Sequence, residues 1–171
     1  MELVNIQPMV RSKYCFVAFS LLLLVTLSGC TPWATWPRIE GTPSLSTPTY
    51  HPIPRLCVLS VGAIREELGD DSPLVINQLP GLNEKEAEEF MVNFPGASTL
   101  TEAGSAYHLM SVQVRVVEAR VEVLVPTDTG KCDLWVIELS QQIKNWRVES
   151  LRRFRVQRPA PAPRIPYPIE G

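Results

Sequence analysis

The part of the chain best suited to binding an anion is an arginine-rich run near its C-terminal end. Residues 144–164 contain seven basic residues and one acidic residue. Arg147, Arg153 and Arg155 alternate there with apolar residues, which are Trp146, Val148, Phe154 and Val156. In a strand this alternation places the three guanidinium groups on one face, where they could pair with phosphate or carboxylate. The same charges could instead pair within the domain or protect an exposed sheet edge from aggregation.

A second candidate for chemistry is the pair Cys57 and Cys132. They are not arranged as C-x-x-C, so neither a redox motif nor a zinc site is indicated. Outside the cytoplasm a pair of this kind often forms a disulfide. The sequence leaves open both a bridge between Cys57 and Cys132 and two separate buried thiols.

No catalytic or metal-binding constellation stands out in the rest of the chain. There are two histidines, His51 and His108, and no nucleophile or phosphate-loop motif accompanies them. Residues 55–105 carry nine acidic and three basic residues, a balance that repels nucleic acid. We therefore expect no catalytic residue, metal, cofactor, small-molecule substrate or nucleic acid; an enzyme that uses the acidic helix residues is a remote alternative.

Helical signals dominate the first half of the central region. Ser60 could cap a short helix that ends before Gly69, and Ser72-Pro73 resembles a second helix start. The clearest helix follows Asn83, which forms a capping-box pattern with Glu86. An apolar stripe with helical spacing follows it, made of Ala87, Phe90, Met91 and Phe94.

The second half changes to the two-residue period of strands. Four alternating runs, near residues 108–116, 121–125, 135–139 and 146–156, are separated by short turns. Such runs predict an antiparallel meander with one covered face. The fold class that follows is α+β, with two or three short helices packed on a four-stranded antiparallel sheet.

Proline divides the chain into segments. Residues 30–54 and 159–171 are rich in proline, which disfavours helices and favours extended chain. We interpret 30–54 as an anchor and linker, 55–158 as the α+β domain and 159–171 as a proline-rich tail.

The N-terminal segment carries a targeting signal. An apolar run from Cys15 to Leu27 is too short to span a bilayer and is typical of a signal peptide. Leu27-Ser28-Gly29-Cys30 then resembles the lipobox of bacterial lipoproteins. That resemblance implies removal of residues 1–29, acylation of Cys30 and an extracytoplasmic location. Thr31, rather than Asp, follows Cys30. In an envelope with two membranes this resembles the outer-membrane sorting pattern, which implies the periplasmic face of the outer membrane.

A second resemblance concerns the central region. The run from Ile76 to Phe90, with Leu79-Pro80-Gly81-Leu82 in its middle, resembles a helix-hairpin-helix turn. Together with the strands that follow, residues 72–158 are similar to the distal part of the type II secretion minor pseudopilin K family. The N-terminal segment departs from that family, because a lipobox stands where those proteins carry a prepilin signal.

The sequence therefore predicts a membrane-anchored envelope lipoprotein that acts as a non-enzymatic binding module. Its expected partners are the membrane, through lipidated Cys30, and an envelope protein or an anionic lipid surface. The pseudopilin resemblance implies an alternative, an accessory component of a type II secretion or pilus-like assembly.

Overall fold

The computed structural model describes residues 31–45, 47–102 and 105–168. The predicted signal peptide, Cys30 and residues 169–171 lie outside the described residues. All described helices and strands belong to one compact unit, Pro32–Gly171. In chain order they are β1 (Ala34–Trp36), α1 (Ile53–Leu68), β2 (Val75–Asn77), α2 (Glu84–Met91), β3 (Ser98–Thr99), β4 (Tyr107–Arg115), β5 (Glu118–Pro126), β6 (Lys131–Gln142) and β7 (Asn145–Pro159).

The seven strands form one mostly antiparallel sheet, so the mixed α+β class is confirmed. Strands β4 to β7 form an antiparallel meander. The sheet has more strands than the four predicted, because β2 pairs in parallel with β3 and β4, and β1 pairs antiparallel with β4. The order across the sheet is β3-β2-β4-β5-β6-β7, which leaves β7 as an edge strand.

Strand β1 lies within the stretch predicted to be a linker. Thr35 is buried, and the Trp36 indole Nε1 donates a hydrogen bond to the Pro80 carbonyl oxygen at 3.0 Å. Pairing is possible because residues 34–36 contain no proline, although Pro32 and Pro37 flank them. The linker prediction is therefore corrected for these residues, which are part of the sheet.

Strand β2 occupies the place of the helix predicted to start at Ser72-Pro73. Ile76 is fully buried and pairs with Tyr107 of β4 and Thr99 of β3. Two β-branched residues in succession, Val75 and Ile76, favour this extended conformation. The predicted helix-hairpin-helix is consequently a strand, a turn and one helix.

The two helices differ in how well the sequence predicts their starts. Helix α2 begins after Asn83, and both hydrogen bonds of the capping box with Glu86 are present at 2.9 and 3.0 Å. Helix α1 begins at Ile53, seven residues before the predicted cap. Ser60 lies inside this helix and donates its hydroxyl proton to the Leu56 carbonyl oxygen. The helix ends at Gly69, whose φ of 62° suits glycine.

The core lies between α1 and one face of the sheet, which we call the helix face. Leu56, Val61 and Ile64 of α1 belong to one buried cluster with Val121 and Ile137. Burial of one such side chain stabilises the fold by about 1.5–3 kcal/mol. The opposite side of the sheet is called the outer face.

Two features of the segment predicted to be a proline-rich tail were not expected from the sequence. Strand β7 continues to Pro159, and the chain beyond it contacts the turn before α2. Tyr167 forms a bridge with Asn83, and Asn77 bonds to the Ala162 carbonyl oxygen. Polar side chains of the domain therefore hold this segment, a feature that proline content alone does not predict.

Candidate functional site: the basic edge strand

Strand β7 presents a long edge with no neighbouring strand. It pairs with β6 alone among the described strands. Every side chain from Arg152 to Pro159 is exposed. The backbone N–H and C=O groups of such an edge can pair with an added extended segment.

An irregularity in the pairing of β6 with β7 determines where the predicted arginines point. Arg147 lies opposite Ser140, whereas Arg153 lies opposite Trp135. The register shifts between these two pairs, so that Glu149 has no residue opposite it on β6. Because one extra residue reverses the alternation of a strand, Arg147 is on the outer face and Arg153 is on the helix face. The prediction that Arg147, Arg153 and Arg155 line one face is therefore corrected.

Arg153 is held by a carboxylate of its own domain. Its Nε donates a hydrogen bond to Asp133 Oδ2 at 2.8 Å, and its Nη2 forms a salt bridge with the same oxygen at 2.7 Å. The Asp133 side chain is 5% exposed, and the Arg153 guanidinium also lies 5.8 Å from the centre of the Trp135 ring. Because a buried carboxylate is costly without a partner, Arg153 stabilises the fold at this position.

The C-terminal part of β7 combines unpaired charge with exposed apolar surface. Within the described ranges, Arg147, Arg155 and Arg158 make no salt bridge, whereas Arg152 pairs with Glu138 at 3.3 Å. Phe154 and Val156 are 44% and 52% exposed. We call residues 154–158 the docking edge.

The sequence analysis missed two features of this site. Asp133 occupies a helix-face position of a strand between apolar residues, which is a signal for a buried charge that needs a partner. The exposure of Phe154 was also missed, because alternation predicted that this side chain would be covered. The exposure of Phe154 follows from the register shift at Glu149, which no sequence pattern announces, whereas the place of Asp133 follows from its pairing with Val125 of β5.

Cys57 and Cys132 are buried, free thiols. Cys57 is a residue of α1 and belongs to the core between that helix and the helix face of the sheet. Cys132 alternates with Asp133 and therefore lies on the outer face, so the sheet separates the two residues. The disulfide that the sequence allowed is not formed in this structure. Burial raises the pKa of the Cys57 thiol, and burial with the nearby Asp133 charge raises the pKa of Cys132, so both thiols stay protonated.

Two open cavities gather carboxylates. One of about 420 Å³ is bordered by Trp33, Arg120 and three glutamates, Glu118, Glu138 and Glu149. These glutamates already bond to Arg115, Ser150 and Ser140, respectively.

The other cavity, of about 410 Å³, lies beside Glu84 and Glu88 of α2. Its lining includes no cysteine, serine or histidine among the described residues. In the same part of the chain, no group of three or more His, Cys, Asp or Glu residues is arranged to hold a metal ion.

In comparisons with known proteins, no family model, no curated protein and no solved structure matches this chain. Across the described residues, no helix has both the length and the apolar character needed to cross a membrane.

Proposed function

We propose that this chain is a membrane-anchored envelope lipoprotein that acts as a non-enzymatic binding module. Its docking edge takes an extended, acidic segment of a partner protein as an additional strand. The observation that carries this proposal is the unpaired edge of β7, where arginines without salt bridges within the described residues flank the exposed side chains of Phe154 and Val156.

A purely protective edge would look different. Charged side chains and bulges do discourage strand addition, and β7 has both. A protective edge does not, however, need two large apolar side chains in water beside those charges. Phe154 lies on the outer face of the edge strand, where a side chain of an added strand could pack on it.

The charge of the edge indicates the chemistry of the partner. Arg155 and Arg158 are exposed and favour carboxylates, which accept two parallel hydrogen bonds from one guanidinium. A second copy of the chain is a poor partner at this edge, because β7 against β7 would bring arginine next to arginine. An acidic strand with apolar residues at alternate positions satisfies both the charge and the apolar surface.

The anchor supports a location close to a membrane. Cys30 and the first residue of β1, Ala34, are four residues apart, so even fully extended chain spans only about 14 Å between them. A lipid on Cys30 would therefore hold the module near the headgroups, with partners in the same envelope compartment.

A binding assay with matched charge changes tests the proposal. The probe is a short synthetic peptide of alternating glutamate and valine, added to the full chain in detergent. We expect salt-sensitive binding that falls at least ~tenfold, or about 1.4 kcal/mol, in the variant Phe154→Ser/Arg155→Glu. Arg38→Glu is the control, because Arg38 is exposed and lies outside β7. Equal binding by the two variants, or equal binding of a lysine–valine peptide, contradicts the proposal.

Anionic vesicles distinguish the membrane alternative. If the unmutated chain binds phosphatidylglycerol vesicles through Arg155 and does not bind the acidic peptide, the arginines serve lipid contact instead.

The pseudopilin resemblance supports a second candidate function, an accessory component of a type II secretion or pilus-like assembly. It is favoured by the order of a turn at Leu79–Leu82, a capped helix and the meander. Crosslinking in native membranes to secretion-machinery subunits would support it.

A further inference from the structure

The C-terminal segment is bound to the domain as an extended peptide would be. It lies against β2, the Leu79–Leu82 turn and β4. We call the surface that these three elements form the tail groove. The contacts involve Ala162, Arg164 and Tyr167 of the segment. This arrangement is independent of the docking edge and of the function proposed for it.

Asn77 recognises the backbone of the segment at two points. Its Nδ2 donates to the Ala162 carbonyl oxygen at 3.0 Å, and its Oδ1 accepts from the Arg164 amide at 3.0 Å. Asn77 is 1% exposed, so the surrounding fold fixes the position of this amide. A two-point contact of this kind fixes an extended backbone whatever its side chains.

His108 holds the Asn77 amide in this orientation. Asn77 Nδ2 lies 2.9 Å from His108 Nδ1, and His108 is fully buried. Since the amide nitrogen can only donate, His108 Nδ1 is the acceptor and the ring proton is on Nε2. Burial, together with the charge of Arg164, lowers the pKa of His108 to about 4, which keeps the ring neutral at neutral pH.

Arg164 supplies the side-chain specificity. Its guanidinium donates to the carbonyl oxygens of Gln78 and Leu109, and it contacts the Met110 sulfur at 3.2 Å. A planar fork of donors can reach two carbonyl oxygens at once, which an ammonium group does less well. The groove thus reads an arginine through backbone acceptors rather than through a carboxylate.

The segment is held with little apolar burial. Ile165 is 88% exposed and Tyr167 is 55% exposed. Its remaining hydrogen bonds run from the Glu84 amide to the Tyr167 carbonyl oxygen and, at 3.4 Å, from the Tyr167 hydroxyl to the Gly81 carbonyl oxygen. Segments with few buried apolar contacts open at low free-energy cost. The prolines at 163, 166 and 168 keep the released chain extended, which lowers the entropic cost of binding.

We propose that the tail groove is a recognition site for extended peptides that carry arginine between prolines, and that the chain's own tail fills it as an exchangeable intramolecular ligand. A protein segment of the same chemistry can take the place of the tail. The own tail has the advantage of high effective concentration, so a competitor must bind with higher affinity or be abundant.

The test uses the full chain in detergent and a labelled synthetic peptide with the sequence of residues 160–168. We expect the variant Arg164→Ala, whose own tail has lost its guanidinium, to bind this peptide at least ~tenfold more tightly than the unmutated chain. A peptide with alanine in place of the arginine should not bind. The double variant Asn77→Ala/Arg164→Ala should not show this increase in affinity for the peptide.

Absence of peptide binding by a folded Arg164→Ala variant overturns the proposal. Hydrogen exchange of the unmutated chain gives an answer even if that variant does not fold. The amides of Arg164 and Glu84, which bond to Asn77 and Tyr167, should exchange together and at least ~100-fold faster than the amides of β6. Exchange of both at the rate of the β6 amides would mean that the tail opens only on global unfolding, and the proposal fails.

Discussion

Replacement of Arg153 by glutamine separates the structural arginine of β7 from the others. It removes the partner of the Asp133 carboxylate, which is 5% exposed and receives a hydrogen bond and a salt bridge from the guanidinium. Loss of one partner from a fully buried ion pair costs about 3–5 kcal/mol. The Arg153 side chain is 40% exposed, so water can replace part of the lost interaction. We therefore expect a loss of about 2 kcal/mol in the free energy of unfolding.

Thermal and urea unfolding measure this difference. A loss of about 2 kcal/mol lowers the melting temperature by roughly 4–10 °C in a domain of this size. Arg147→Gln is the matched control; it removes an exposed arginine of the same strand and should change stability by less than about 0.5 kcal/mol. Asp133→Asn combined with Arg153→Gln should recover part of the loss, because no unpaired carboxylate remains. Equal stability of Arg153→Gln and Arg147→Gln would refute the assignment of Arg153 to the fold.

Three further predictions concern the cysteines and the buried histidine. In urea without reductant, a maleimide should label both Cys57 and Cys132, whereas a disulfide-linked peptide in a digest would contradict their separation by the sheet. The pKa of His108 is lowered to about 4 from its usual 6.5, so the unfolded chain binds more protons between these values. The free energy of unfolding should therefore be highest above about pH 6.5 and fall by about 3 kcal/mol as the pH drops to 4. Urea titrations at several pH values measure this fall, which should be smaller for His108→Gln. Cys30→Ala should leave an unlipidated precursor that no longer partitions into detergent; unchanged partitioning, with no acyl group on Cys30 of the unmutated chain by mass spectrometry, would show that no lipid is attached there.

The meander and α2 were predictable because their signals are local. The Val121, Val123 and Val125 alternation identifies a half-buried strand, and the Asn83–Glu86 box identifies a helix start. Strands β1, β2 and β3 have two or three residues each, too few for any period to be recognised. They exist because other strands offer backbone partners that lie far away in the chain: β1 and β2 pair with β4, and β3 pairs with β2.

The candidate site was predictable in composition and not in geometry. The sequence identified the basic strand, but the extra residue at Glu149 places Arg147 and Arg153 on opposite faces. The role of Asn77 and Arg164 was out of reach for a similar reason. Their contact joins residues 87 positions apart, and the proline-rich composition around Arg164 is equally compatible with free chain.

Hydrogen exchange of β7 with the bound acidic peptide tests the central claim most directly. An added strand must take up the free backbone groups of the docking edge, so amides within residues 154–158 should slow on addition of saturating peptide. The exposed helix residue Val92 and the strands β1 to β3 should exchange as before. Protection confined to α2 or to the tail groove, with β7 unchanged, would contradict the proposal that this edge is the binding surface.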